Sequence, residues 1–176
     1  MIFLPTPLLG AYLIQPELKE DDRGFYARAY CEQEFSEHEL CTEFKQANIA
    51  FNKTRGITRG MHYQKEPDAE VKLVRCTAGS VFDAIVDMRP DSPTYKQWFG
   101  AILSAENRHQ LYVPIGFAHG YQVLEDNSEF SYMTSAFYAP ESEAGVRWDD
   151  AAVGIVWPIK DNAQLSAKDQ NWSLLD

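Results

Sequence analysis

The tightest constraint on the fold is a run of short β-rich segments broken at close intervals by Pro, Gly and Asn. VKLVRC and VFDAIVDM, within 71–88, show near-alternating polarity on either side of a Gly-containing turn, which predicts a hairpin. WFGAIL, LYVP, GYQVL and EFSYMTSAFY follow at short spacing, and no long segment carries the 3.6-residue period of an amphipathic helix. The centre of the chain is therefore all β. Helices are expected only at its margins, over 32–40 (EQEFSEHEL) and in a short piece starting at Ser166, where S-A-K-D resembles a capping box. With no repeat, low-complexity tract or linker, residues 1–176 read as one domain, an antiparallel sandwich or barrel that would hold a ligand in its mouth.

Composition narrows the function classes. A chain of 176 residues, 45% of them hydrophobic, buries roughly 70% of its unfolded surface and needs no staple. Cys31, Cys41 and Cys76 are too few and too unevenly spaced for a disulfide framework, which suits a reducing cytoplasm. The opening MIFLPTPLLGAYLIQP lacks a basic leader and is interrupted by Pro5, Pro7 and Gly10, so it reads as an edge strand. No run approaches the roughly 20 apolar residues of a membrane span, and a membrane partner is not expected. A net charge of −10 opposes nucleic-acid binding. Lys45, Lys53, Arg55, Arg59, Lys72 and Arg75 nevertheless gather in one stretch, either a solvated rim or a small-anion site.

Two histidine segments carry the chemistry. In the first, Gly56 leads through Arg59 and Gly60 to His62 and Gln64, with Glu66 and Glu70 beyond; in the second, Pro114 and Gly116 lead to His119 and Gly120. The two segments resemble the paired cupin motifs, which implies a cupin-type jelly-roll β-barrel with histidines pointing into its cavity. Many cupins hold a metal with such residues, but Gln64 is a poor ligand beside imidazole. A metal-dependent isomerase or oxygenase would be left with His62, His119 and Glu66 or Glu70. Without a metal, His62 is available as a proton acceptor, a buried structural histidine being the plain alternative. Arg59, three residues before it, falls on the opposite strand face unless Gly60 makes a bulge. A bend is expected there, with Arg59 reaching a phosphate near the mouth.

The segments DDRGFY, QANIAFN, GITRGMHYQ, EVKLVRCTAGSVFDAIVDMRPDSPTY, VPIGFAHGYQVL, SYMTSAFYAPESEAGVRW, GIVWP and LSAKD resemble, in that order, the dTDP-4-dehydrorhamnose 3,5-epimerases, metal-independent cupins that use no cofactor. The resemblance implies proton chemistry beside a C4 ketone: deprotonation at C3 or C5, an enolate, and reprotonation on the opposite face. It makes His62 the base, Asp169 its orienting carboxylate, Lys72 the cation at the carbonyl oxygen and Tyr132 the acid. It makes Arg23, Gln46, Asn48, Arg59, His119, Glu143 and Lys168 substrate contacts and Tyr138 the ring that stacks on thymine. It also implies a homodimer that exchanges an N-terminal strand. Each catalytic residue has a plainer reading: Asp169 as the helix cap of Ser166, Lys72 as an outward strand lysine, Tyr132 as barrel filling.

Departures from the family pattern fall mainly among the residues that read substrate. Arg28 stands where a nucleotide-contacting Glu is usual, Ala50 and Asn52 replace serines, and Met133 replaces a Lys beside Tyr132, altering the field at the acid. The reaction type is thus better defined than the nucleotide or the sugar. A non-catalytic sugar-nucleotide binder is the remaining alternative.

Overall fold

The computed structural model describes residues 1–175. Along the chain lie β1 (Ile2–Pro5), β2 (Tyr12–Gln15), β3 (Lys19–Asp21), β4 (Gly24–Tyr26), α1 (Glu32–Glu37), β5 (Gln46–Asn52), β6 (Thr58–Gln64) and β7 (Lys72–Ala78). There follow β8 (Ser80–Asp87), β9 (Trp98–Ser104), β10 (Gln110–Val113), β11 (Phe117–Val123), β12 (Ser128–Thr134), β13 (Glu143–Gly145) and α2 (Ala167–Gln170). One sheet runs β1-β2-β10-β7-β12-β5 and the other β13-β6-β11-β8-β9, with β3 and β4 as a separate hairpin. This is an all-β, cupin-type jelly-roll barrel.

The hairpin expected over 71–88 does not form. β7 pairs with β10 and β12, whereas β8 pairs with β11 and β9 in the other sheet. The chain changes sheets at Gly79, whose φ of +70 suits glycine and where a Cβ would stand 2.3 Å from the Ser128 hydroxyl oxygen. Alternating polarity marks a strand but does not name its partner. The opening segment is two strands rather than one: β1 is the sheet edge and pairs with β2 of its own chain. EFSYMTSAFY is strand only as far as Thr134. Both expected helices are present, α1 ending at Glu37 and α2 capped by Ser166.

Between the sheets, Val74, Val81, Ile85, Leu103, Leu111 and Phe130 are fully buried. Burial of each contributes about 1.5–3 kcal/mol, so the walls of the barrel are fixed before any ligand arrives. Toward one end the inward positions turn polar. On the six-stranded sheet, Thr134 is flanked in register by Gln46 and Lys72, and Tyr132 by Asn48 and Val74. His62 and His119 face each other across β6 and β11 on the opposite sheet. Among the described residues no helix is long and apolar enough to cross a membrane.

Candidate active site

Three hollows of about 390, 380 and 230 Å³ share His62 in their walls. Its placement depends on a bulge. His119 pairs with His62 and Tyr121 with Arg59, so two residues on β11 span three on β6. The extra residue reverses the alternation and turns Arg59 and His62 toward one hollow, the bend expected from sequence. Glycines make it possible: a Cβ at Gly60 would lie 2.5 Å from the Gly120 Cα, and one at Gly120 would lie 2.6 Å from the Arg59 carbonyl.

His62 is half-buried. Burial first, then the charges of Lys72, His119 and Lys168, lowers its pKa to about 3. The imidazole is thus neutral and able to accept a proton. Lys72 is not an outward strand lysine: its side chain is 9% exposed and its Nζ lies 3.1 Å from the Glu70 carboxylate. Tyr132 lines the same two hollows as Lys72. Burial, then the neighbouring Glu70 charge, raises the Tyr132 pKa while Arg59 opposes the shift, so the phenol keeps its proton. His62 on β6 and Tyr132 on β12 therefore stand in opposite sheets, with Lys72 of β7 lining the same space.

Asp169 and His62 share the 380 Å³ hollow, and among the described residues no hydrogen bond joins them. The Asp169 carboxylate instead accepts from the Ser166 hydroxyl at 2.9 Å, and Ser166 caps α2 by accepting from the Asp169 backbone N–H. The histidine that holds a carboxylate is His119, whose Nε2 is 2.8 Å from Asp83 Oδ2.

The rim draws on the edge strands β5 and β13, the loop after β12 and the short helix α2. Tyr138 donates its backbone N–H to Gln46 and its hydroxyl to Glu143, which also pairs with Lys168. Gln46, Asn48, Tyr138 and Glu143 line the 390 Å³ hollow; Lys168 and Arg59 line the 380 Å³ one. Arg23 is not brought to this cavity: it sits on the β3–β4 turn, 88% exposed and paired with Asp21. Arg28 is paired with Glu34, outside the three hollows. Met133 belongs to the cluster on the outer face with Leu73 and Phe35, so its methionine stands apart from the cavity field around Tyr132.

Two of the donors expected of a metal site are otherwise engaged, and Glu66 is exposed on the turn after β6. Glu70 is with Lys72 and His119 with Asp83, while the Gln64 amide is spent on the backbone of Asp68, Phe137 and Ala139. Among the described residues no group of three or more His, Cys, Asp or Glu side chains converges as a metal cradle.

Sequence reasoning missed three partners: Glu70 as the counter-ion of Lys72, Asp83 behind His119, and Asn52 behind Arg59. Asn52 is fully buried, donates to the Ala50 and Ser128 carbonyls, and accepts from Arg59 Nε at 3.0 Å. A charged residue in the otherwise apolar FDAIV of a central strand was the available signal for Asp83.

Comparison with known proteins fits this geometry. A family model described as dTDP-4-dehydrorhamnose 3,5-epimerase matches residues 5–176. The dTDP-4-dehydrorhamnose 3,5-epimerase of Salmonella typhimurium is 42% identical over 177 residues, covering 100% of this chain and 96% of that protein. The crystal structure of the enzyme of the same name from Elizabethkingia anophelis superposes with a TM-score of 0.96 at 43% identity, covering 99% and 96% of the two chains. A dTDP-6-deoxy-D-glucose-3,5-epimerase from Legionella pneumophila, solved in complex with dTDP-4-keto-L-rhamnose, superposes at 0.92 with 38% identity over 98% and 92%.

Proposed function

The chain belongs to the dTDP-4-dehydrorhamnose 3,5-epimerase family, and from that premise we propose how its cavity inverts a nucleotide-linked 4-keto-6-deoxy sugar. The chain is a carbohydrate epimerase, an isomerase whose substrate is a dTDP-linked sugar. The observation that carries the mechanism is the pair of opposed walls: neutral His62 on one sheet, protonated Tyr132 on the other, and the Lys72 ammonium in the same space.

His62 takes the proton from C3 or C5 beside the C4 ketone, and the electron pair moves onto the carbonyl oxygen. Lys72 stabilises that oxygen as it becomes an enolate, where a preorganised charge acts most strongly. Tyr132 gives its proton to the carbon from the far side, and solvent restores both side chains. A base at pKa about 3 would be weak. A bound diphosphate beside Arg59 and Lys168 offsets positive charge around His62 and raises its basicity when substrate is present. Asp169 adds a carboxylate to the same hollow. Arg59, Lys168, Gln46, Asn48, His119 and Glu143 hold the sugar and diphosphate, with the Tyr138 ring against the base.

The active unit in this reading is a cytoplasmic homodimer. Its support is the exposed apolar surface of Ile49 and Phe51 on β5 and of Phe25 and Tyr26 on β4. Arg23 on the protruding β3–β4 turn then serves a neighbouring copy's cavity. Because β1 pairs within its own chain, the 19–26 hairpin is the N-terminal piece suited to exchange. The three cysteines, all free, fit a reducing compartment.

Incubation with dTDP-4-keto-6-deoxyglucose in heavy water tests the reaction. Deuterium should enter C3, C5 or both, with the same product after exhaustive chelation. A rise in melting temperature with exchange at background would identify a binding protein instead, and activity lost on chelation would identify a metal enzyme.

A further inference from the structure

Asp83 is a buried carboxylate behind His119 that the reaction above leaves idle. It is fully buried on β8; Oδ2 meets His119 and, among the described residues, Oδ1 has no hydrogen-bond partner. A buried carboxylate is costly, and one with an unsatisfied oxygen more so, unless its charge is matched nearby. Burial raises the Asp83 pKa, against the pull of His119 and Lys72.

The contrast with His62 is informative. The two histidines are direct cross-strand partners, yet only His119 rests on a carboxylate. Around His119 stand His62 and Arg59 of β6, Lys72 of β7, Tyr132 of β12 and Tyr121 of its own strand, with the Phe130 ring stacked 6.0 Å away, and Cys76 of β7 lies in the field of Asp83. Arg59 and Lys72 bring positive charge to the same hollow. Asp83 is the carboxylate in contact with the ring.

We propose that Asp83 is a positioning residue: by holding Nε2–H of His119 it maintains an imidazolium whose other N–H donates to the ketone oxygen of the substrate. The enolate then meets two donors from different sheets, the Lys72 ammonium and His119, and the two facing histidines divide the labour, His62 neutral and His119 charged. This inference rests on the epimerase reading and concerns which groups serve it.

The test has a wild-type arm and a variant arm. The protein has four histidines, so multiple-bond ¹⁵N–¹H spectra of the imidazole rings, with His119→Gln to assign the signal, report each protonation state. The expected result is a His119 imidazolium that persists above pH 7 beside a neutral His62; a neutral His119 at pH 7 overturns the proposal whether or not any variant folds. In Asp83→Asn, kcat should fall about 10–100-fold, as when an outer partner of a functional histidine is removed, with KM held within about threefold. Loss of the carboxylate lets His119 give up its proton at lower pH, so the alkaline limb of kcat should move down by about one unit or more. A purely structural Asp83 would lower the melting temperature and leave that limb in place, and this outcome contradicts the proposal. Asp83→Asn should add nothing in a His119→Gln background; additive losses also contradict it. If the wild type fails to place deuterium in any keto-sugar, the epimerase reading fails, and the ring spectra still decide the His119 state.

Discussion

The floor of the cavity and its rim are built on different principles. Floor groups sit on strands and are held by other side chains: the buried Lys72 by Glu70, the buried His119 by Asp83, and the exposed Arg59 by Asn52. Rim groups sit on the edge strands β5 and β13, on α2, on the loop after β12 and on the β3–β4 hairpin; Tyr138 is 60% exposed, and Arg23 stands away from the cavity altogether. In the proposed reading one chain holds the reacting groups in place before substrate binds, whereas the rim groups stay open to solvent. Substitutions in the floor should therefore strike kcat and those in the rim KM.

The largest break in this contrast is His62→Ala. Loss of a general base should cost about 10²–10⁴-fold in turnover, while binding of the dTDP-sugar by calorimetry stays near wild type. Lys72→Met, combined with Glu70→Gln so that no lone carboxylate remains, should cost about 10²–10³-fold in kcat, the loss typical of a donor at a developing oxyanion. A rise in KM alone would assign Lys72 to the rim. Asn52→Ala sits on the boundary. The guanidinium of Arg59 loses its anchor, KM should rise about tenfold, and kcat should hold, in line with one hydrogen bond to a charged group. Tyr138→Ala should raise KM about three- to tenfold through lost stacking; a matching fall in kcat would show that the rim takes part in chemistry.

A stability profile separates the regions without substrate. The folded pKa of His62, about 3, lies below its ordinary value of 6.5. The folded state therefore favours the neutral ring, and that contribution is present above pH 6.5 and lost as pH falls from 6.5 toward 3. Thermal melts of His62→Gln should show a shallower decline across that window than wild type. Tyr138→Ala should follow the wild-type slope.

Much of the floor was legible in the residues, because the two histidine segments and the Gly60 bend are local patterns. What escaped was pairing at a distance. Asp83 and His119 are 36 residues apart, and alternation in VFDAIVDM gives no hint of which side chain meets it. The same blindness produced the hairpin over 71–88, since a Gly-containing turn between alternating runs serves equally to close a hairpin or to cross between sheets. Asp169 shows the converse: the S-A-K-D spacing gave its cap to Ser166 correctly, and its proximity to His62 came from the fold.

The opposed walls are tested most directly by following Tyr132→Phe in heavy water and scoring exchange and inversion separately at C3 and C5. Removal and return of a proton on the His62 wall needs no phenol, so deuterium should still enter with retained configuration while the inverted product falls about 10²-fold or more. Equal loss of exchange and inversion, or inversion at the wild-type rate, would contradict an acid on the wall facing His62.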